Sequence, residues 1–447
     1  MTFTRCRLAL AVSLALPAVA QATPFSIFEA RGFAMGGAGV ASSEYAAASL
    51  YNPALLAVST DSNRFSFIFP AVGARASGND GAIDAFKNFD DHNTIDNMQS
   101  AANAFSSAYN TCSANGTAVA GCQNNVALVN ASSRVANAAT VVRNDLNALN
   151  GKTYNVNAGG VAAFALPKWE YKGALSLNVE FFGKATPTIA SSDLTKIDTV
   201  VSGARAYANS NGDVSSLNSF VDPTTGKPII GSDGASYSNS NFKVVGVAIA
   251  DIGLSFAKSV NVGDSSVLVG LTPKIQQIQT VAYTANVDKN DFDLNKNKKT
   301  DSGVNLDLGL AKTFEQGSPY ENVRLGMTVR NLIPHTYKTS DPTQDVKLAP
   351  QVRVGAAWVG KYGTVTSDLD LTANKTVGTG SDSSQIFAIG GELNAWNVAK
   401  LRLGYRQDMK AKVSAITTGV SLFGLQVSAA YSQDREVGVM AQFGASF

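Results

Sequence analysis

The side chains in this 447-residue sequence that are able to do chemistry are few. His92 and His335 are the two histidines, and both stand in Asn-, Asp- and Thr-rich stretches with no nucleophile and orienting third group at a fixed spacing, so enzymatic activity is not expected. Cys112 and Cys122 enclose a short stretch containing Gly116 and Gly121. That spacing predicts a local disulfide in an oxidising compartment; it is not a CxxC redox pair, and no His or Asp stands near enough to suggest a metal site. Asp307, Arg324, Arg330, Arg353, Asp368, Asp370, Glu392, Arg402 and Arg406 alternate with apolar residues. Against lipid each arginine would cost up to about 2–4 kcal/mol near the bilayer midplane. They are therefore expected to line an interior, either as a constriction that selects solutes or as an ion-pair network bracing the wall. The stretch 288–297 offers alternating oxygen ligands suited to calcium, but it lacks the glycine and distal glutamate of an EF-hand and holds Lys289 and Lys296. A solvated loop is expected there, with no metal and no cofactor.

Such a set needs a wall to hold it. Residues 1–22 predict a signal peptide: Arg5 and Arg7 precede an apolar run from Leu8 to Leu16, followed by Ala20-Gln21-Ala22. Cys6 lies before that run, so no lipid anchor is expected. Against 34 acidic residues the chain has 36 Lys and Arg, two of them in the signal, which leaves a near-neutral exported protein and excludes a nucleic-acid partner. No later apolar run reaches the roughly 18–20 residues that a membrane helix needs.

From residue 63 onward the chain instead reads with period two. Val304, Leu306, Leu308 and Leu310 oppose Asn305, Asp307, Gly309 and Ala311; Val323, Leu325, Met327 and Val329 oppose Arg324, Gly326, Thr328 and Arg330. The segments 63–72, 154–166, 173–183, 242–258, 265–281, 303–313, 321–331, 349–359, 363–373, 383–393, 399–407, 413–423, 424–433 and 437–447 predict an all-β fold, an antiparallel transmembrane β-barrel of about fourteen strands over 62–447. Long and short connections alternate. The long ones, led by 73–153 and 184–241, are assigned to the cell exterior and the short ones to the periplasm. The insertions are expected to be partly helical, since Val126, Val129, Val135, Ala138, Val142, Leu146 and Leu149 recur at three- and four-residue steps. Trp169, Tyr171, Trp358, Tyr362 and Trp396 fall near short turns, as an interfacial girdle would. The last strand turns Phe443 and Phe447 outward, a terminus suited to the barrel-assembly machinery. The expected location is the cell outer membrane, with its lipid as the first partner.

Residues 23–61 are different: glycine-rich around Gly36, Gly37 and Gly39, then compact through Tyr51-Asn52-Pro53-Ala54. No βαβ unit surrounds these glycines, so a dinucleotide site is not expected. A barrel of this size is wider than the roughly eight strands whose side chains fill their own interior. A compact plug inside it is expected.

On Asn52-Pro53-Ala54, the glycine-rich start, the strand count and the terminal Phe447, the chain resembles the FadL/TodX family of outer-membrane transporters of hydrophobic compounds. Through Ala30–Ala41 and Tyr51–Ala54 it is most similar within that superfamily to the group labelled conjugal transfer protein TraF, the barrel type and not the thioredoxin-like one. The resemblance implies an N-terminal hatch closing the lumen from the periplasmic side, a turn fixed by Asn52 and Pro53, and lateral diffusion of an apolar solute into the membrane. Two functions are then expected. One is a hatch-plugged channel for small hydrophobic compounds, with an apolar pocket beside the hatch and a kink or gap in one strand. The other is a conjugal-transfer accessory envelope protein whose external loops bind a conjugation partner.

Overall fold

The computed structural model describes residues 25–58, 65–78, 81–113, 119–166, 172–222, 226–229, 239–263, 265–286, 297–318, 321–341, 345–375, 383–396, 399–433 and 435–446. The signal segment 1–22, Trp169, Tyr171, Phe447 and nearly all of 288–297 lie outside them.

Alternation of apolar and small or polar residues builds the wall. The first strands are β1 (Ser66–Gly78), β2 (Tyr154–Leu166), β3 (Lys172–Thr188), β4 (Asn241–Val262), β5 (Ser265–Asn286), β6 (Lys298–Ser318) and β7 (Glu321–Arg330). They are followed by β8 (Gln351–Val359), β9 (Gly363–Asp370), β10 (Ile386–Trp396), β11 (Ala399–Asp408), β12 (Val413–Leu422), β13 (Leu425–Ser432) and β14 (Glu436–Ser446). Each pairs antiparallel with its chain neighbours, and β1 closes the barrel on β14 through Ser66↔Ser446 to Ser77↔Glu436. Closure leaves no unpaired edge. The alternation places Val304, Leu403, Ile416 and Val439 outside, where they are 69%, 62%, 61% and 61% exposed. A continuous belt of such side chains is stable against hydrocarbon rather than water. Trp358 and Tyr362 are also exposed, beside the short turn that joins β8 to β9.

Two departures from the expected strands have physical causes. β1 continues to Gly78 rather than stopping at 72, because it keeps its pairing with both β2 and β14. Its register shifts against both between Ile68 and Ala71, where Pro70 has no N–H to give. β4, β5 and β6 run for 22, 22 and 21 residues, about twice the 9–11 that cross a bilayer. On this side the wall is therefore longer than a bilayer crossing requires.

Both long insertions contribute to one helical unit at the long-loop end. Two short helices, α1 (Ala30–Ala34) and α2 (Ala48–Tyr51), precede it in the chain. The first insertion supplies α3 (Ala82–Asp91), α4 (Thr94–Cys112) and α5 (Val126–Leu149), and the second supplies α6 (Ser191–Asn209). Phe105, Tyr109, Leu128, Val135, Ile197, Val200, Tyr207 and Phe220 form their common core. Cys112 and Cys122 are disulfide-bonded, tying the end of α4 to the turn before α5. Asn125 caps α5 by accepting from Leu128 N at 3.0 Å, so the buried stripe begins at Leu128 and leaves Val126 at the first turn exposed. His92, expected to lack a fixed partner, has one: its Nδ1 lies 3.0 Å from Asp145 Oδ2. Thr94 Oγ1 donates to the same carboxylate at 2.5 Å, so its hydroxyl is not presented to the imidazole as a nucleophile would be.

A small hairpin, His335–Tyr337 with Val346–Leu348, belongs to the connection from β7 to β8. Its Tyr337, Val346 and Leu348 pack on Phe182, Val245, Val247, Ile249 and Ile278 of β3, β4 and β5. Lys299 Nζ reaches Thr339 O at 2.6 Å and Thr280 Oγ1 reaches Lys338 O at 2.9 Å, which fastens that loop to the wall.

Candidate functional site

Residues 25–58 sit inside the short-turn half of the barrel. Glu29 caps α1 by accepting from Arg31 N and Gly32 N at 2.9 and 2.7 Å. Gly36 and Gly37 then turn the chain with φ of +76° and +95°, conformations that a side chain would strain. After α2, Asn52 accepts from Ala54 N at 3.1 Å and Pro53 opens the 3-10 turn Pro53–Ala57. The Asn52 amide donates to Val40 O at 2.9 Å and to Leu310 O of β6 at 3.0 Å, so one side chain joins two hatch segments to the wall. Gly39 lies under the buried Tyr51 ring. Burial, with Glu29 and Asp368 nearby, pushes the Tyr51 phenol well up and keeps it neutral.

The charged residues of the wall meet this segment. Glu392 receives Arg402 Nε at 2.7 Å from the neighbouring strand and Arg31 Nε at 2.9 Å from the hatch. Arg31 also gives Ser42 O a hydrogen bond at 2.8 Å, and Arg402 gives one to Gln426 at 2.7 Å. Burial works against the charge on Arg31, but Glu392, Glu44 and Glu29 outweigh it and raise its pKa. Asp368 Oδ2 accepts from Gly39 N and Val40 N at 2.8 and 3.0 Å. Arg353 pairs with Asp370 at 2.6 Å and lies 3.9 Å over the ring of Phe25. Arg330 covers the same ring at 4.9 Å and bonds Ser26 O at 3.3 Å, with Asp307 4.0 Å away. Arg324 donates to Ala41 O at 3.2 Å. Arg406 stands apart from the hatch network and meets Glu436 higher in the barrel. Phe443 faces outward, its ring 6.0 Å from that of Phe67.

Several partners escape a reading of the sequence: Arg31 itself, the Lys274 ammonium between Asp251 and Asp307 at 3.2 and 3.0 Å, and Arg75 beside Glu436 at 3.3 Å. So does a ring of inward glycines. A side-chain carbon on Gly270, Gly309, Gly326, Gly390 or Gly404 would run into the hatch at Ala54, Asn52, Val40, Met35 or Gly36, and one on Gly355 would meet Asp368 first and press on Val40 and Ala41. The recurring inward glycine on successive strands is a signal that was available in the sequence. A glycine that faces inward removes the Cβ and lets backbone press on backbone.

Above the hatch, toward the long loops, lies an open cavity of about 470 Å³ with Phe25 and Ser26 on its floor. The channel reading anticipated an apolar pocket beside the hatch. The cavity that adjoins it is instead mixed, with Arg75, Asn155, Asn157, Lys184 and Arg406 beside Phe25, Phe182 and Ile386, because these strand ends carry polar residues inward where neither the hatch nor the hairpin covers them. An apolar groove of about 650 Å³ does exist on the outer face, among Trp358, Tyr362, Leu393, Leu401 and Leu403.

Comparison with solved structures finds the toluene transporter TbuX of Ralstonia pickettii at a TM-score of 0.46 and 12% identity, over 94% of this chain and 98% of that one. The P. putida toluene transporter TodX gives 0.45 and 10%, over 95% and 98%; the CymD monoaromatic hydrocarbon channel gives 0.33 and 11%, over 95% and 99%. Comparison with curated protein sequences gives no match. The model of the family described as "F plasmid transfer operon, TraF, protein" matches residues 49–370, from the second hatch helix through β9. Most of the chain, from the hatch through nine strands of the wall, is therefore accounted for by one family model, and the chain belongs to that TraF family.

Proposed function

We propose that this protein is an outer-membrane channel for small compounds, plugged by residues 25–58 and opened when they move, with small hydrophobic compounds as the first cargo to test. The observation that carries the reading is the way the lumen is filled. The hatch is a continuous stretch of chain seated on glycines and held by hydrogen bonds and ion pairs, beneath a cavity open toward the long loops. A barrel serving only as an anchor has no need of that cavity. The outer apolar groove and the β1 register shift at Phe69–Pro70 support an exit into lipid. Uptake of labelled toluene and of a labelled fatty acid, in cells with and without the gene, tests the cargo. Equal uptake of both would remove hydrophobic compounds from the reading while leaving the plugged barrel.

A second reading has its own observation: the two insertions merge into one helical unit closed by a disulfide, more structure than a loop needs. On this reading the protein is a conjugal-transfer accessory whose external face binds a partner. Deleting residues 82–149 should abolish mating while the barrel keeps its heat-modifiable gel mobility. Unaltered mating frequency counts against it.

A further inference from the structure

We infer that the cavity above the hatch binds a small solute through an oxyanion head group, held between Arg75 and Arg406. Both guanidinium groups lean on one carboxylate. Arg75 Nε is 3.3 Å from Glu436 Oε1, and Arg406 bonds the other oxygen of Glu436. Their side chains are 12% and 13% exposed, so the charges are largely withdrawn from water. Arg406 Nε has no hydrogen-bond acceptor among the described residues, and Arg75 Nε meets Glu436 Oε1 as an ion pair without a hydrogen bond. Arginine cannot relieve the excess by losing a proton.

The hatch holds the same two-to-one motif with more of its donors satisfied. There Arg31 and Arg402 share Glu392, but Arg31 has Ser42 O and Arg402 has Gln426 as further acceptors. Arg75 and Arg406 have no such second acceptor among the described residues; Arg75 rests its guanidinium 5.0 Å over the Phe33 ring instead. The cavity's other carboxylate is already engaged, since Asp408 accepts from the backbone of Gln385, Lys410 and Ala411 at 3.2, 3.0 and 3.0 Å. An entering carboxylate or phosphate would supply a further acceptor to two guanidinium groups that line the cavity and share one carboxylate between them. The volume, about 470 Å³, accommodates a head group with a small body attached.

This site does not depend on the hatch opening, so it is tested by binding alone. The full chain in detergent micelles is titrated calorimetrically with benzoate, with inorganic phosphate and with toluene, the last matching benzoate in shape without its charge. Either oxyanion should bind and toluene should not compete; the ratio of benzoate to phosphate affinity tells an organic acid from free phosphate. Arg406→Gln and Arg75→Gln should each weaken binding about tenfold, the scale of one charge-assisted hydrogen bond. Arg406→Lys should restore part of it. Glu436→Gln removes the competing carboxylate and should tighten binding, a gain that no folding defect imitates. Heat-modifiable mobility reports that each variant is a barrel. If neither oxyanion binds at millimolar concentration, if toluene displaces benzoate, or if Glu436→Gln and both Arg→Gln variants bind as the parent does, the inference fails. Any of these results leaves the channel reading open to its own uptake test.

Discussion

The hatch and the external helical unit are both additions to the barrel wall, each with an apolar core, and they differ in what is added to it. The helical unit is held by an apolar core around Phe105, Leu128 and Phe220 and by the Cys112–Cys122 bond, while its Arg143–Asp198 pair is half-exposed and contributes little. The hatch packs Phe28, Phe33, Leu55 and Leu56 against the wall and adds buried charge, as at Arg31, Glu392 and Arg402, together with backbone seated on glycine. The difference matters when each is pulled away. Phe105 exposed to water loses its burial with nothing in return. Arg31 and Glu392 exposed to water regain hydration, because much of their mutual attraction only offsets the desolvation they suffered on entering. The charged part of the hatch's hold is therefore largely recovered in water on withdrawal, while the apolar part around Phe28, Leu55 and Leu56 is lost as in the helical unit.

Breaking the charge network should have the largest effect on one side only. Glu392→Ala strands two buried guanidinium groups, a loss of about 3–5 kcal/mol. The expected result is a large rise in conductance across planar bilayers with the helical circular-dichroism melt unchanged. A melt that moves by as much as the conductance would mean that the two regions are not separable. The reciprocal change is Cys112→Ser. Opening a loop closed over a separation of 10 residues removes about 2–3 kcal/mol. It should lower the melting of the helices and leave the conductance closed.

The wall was legible in the sequence because lipid and lumen impose opposite chemistry on successive residues. Val304 through Ala311 declare both faces, and the strands from β2 onward begin and end within a few residues of their expected positions, except where β3, β5 and β6 run on toward the long loops. What no periodicity reveals is a contact between segments far apart in the chain. Arg31 was visible but its partner stands 361 residues away. The merging of both insertions into one core, and the hairpin folding onto β3, β4 and β5, are long-range in the same sense. Gly390 and Gly391 show how little separates a seat from a filler. The first faces in and meets Met35 of the hatch; the second faces out, where an added Cβ finds only Thr364 O at 3.8 Å. Gly390→Val should cost about 1–3 kcal/mol and raise conductance. Gly391→Val should leave it closed, and equal conductance of the two variants would remove the glycine ring as a hatch seat.

The smallest effect probes where the hatch network reaches water. Glu44 is half-exposed, pairing with Lys400 at 2.6 Å and lying 3.8 Å from Arg31. Burial alone would raise its pKa, but the two cations prevail and lower it from the usual 4.5. A carboxyl whose pKa is lower in the folded protein stabilises it fully above the unfolded value, and loses that contribution as pH falls through the folded one. Solvent screening limits the amount to about 0.2–1 kcal/mol. Acidification below about pH 4.5 should therefore loosen the hatch slightly and raise conductance by a small step. Glu44→Gln should show the raised level already at neutral pH and lose that step. A step that persists in Glu44→Gln would move the acid sensitivity to the deeper carboxylates, and the hatch would then be charge-locked throughout rather than weakest at its exposed corner.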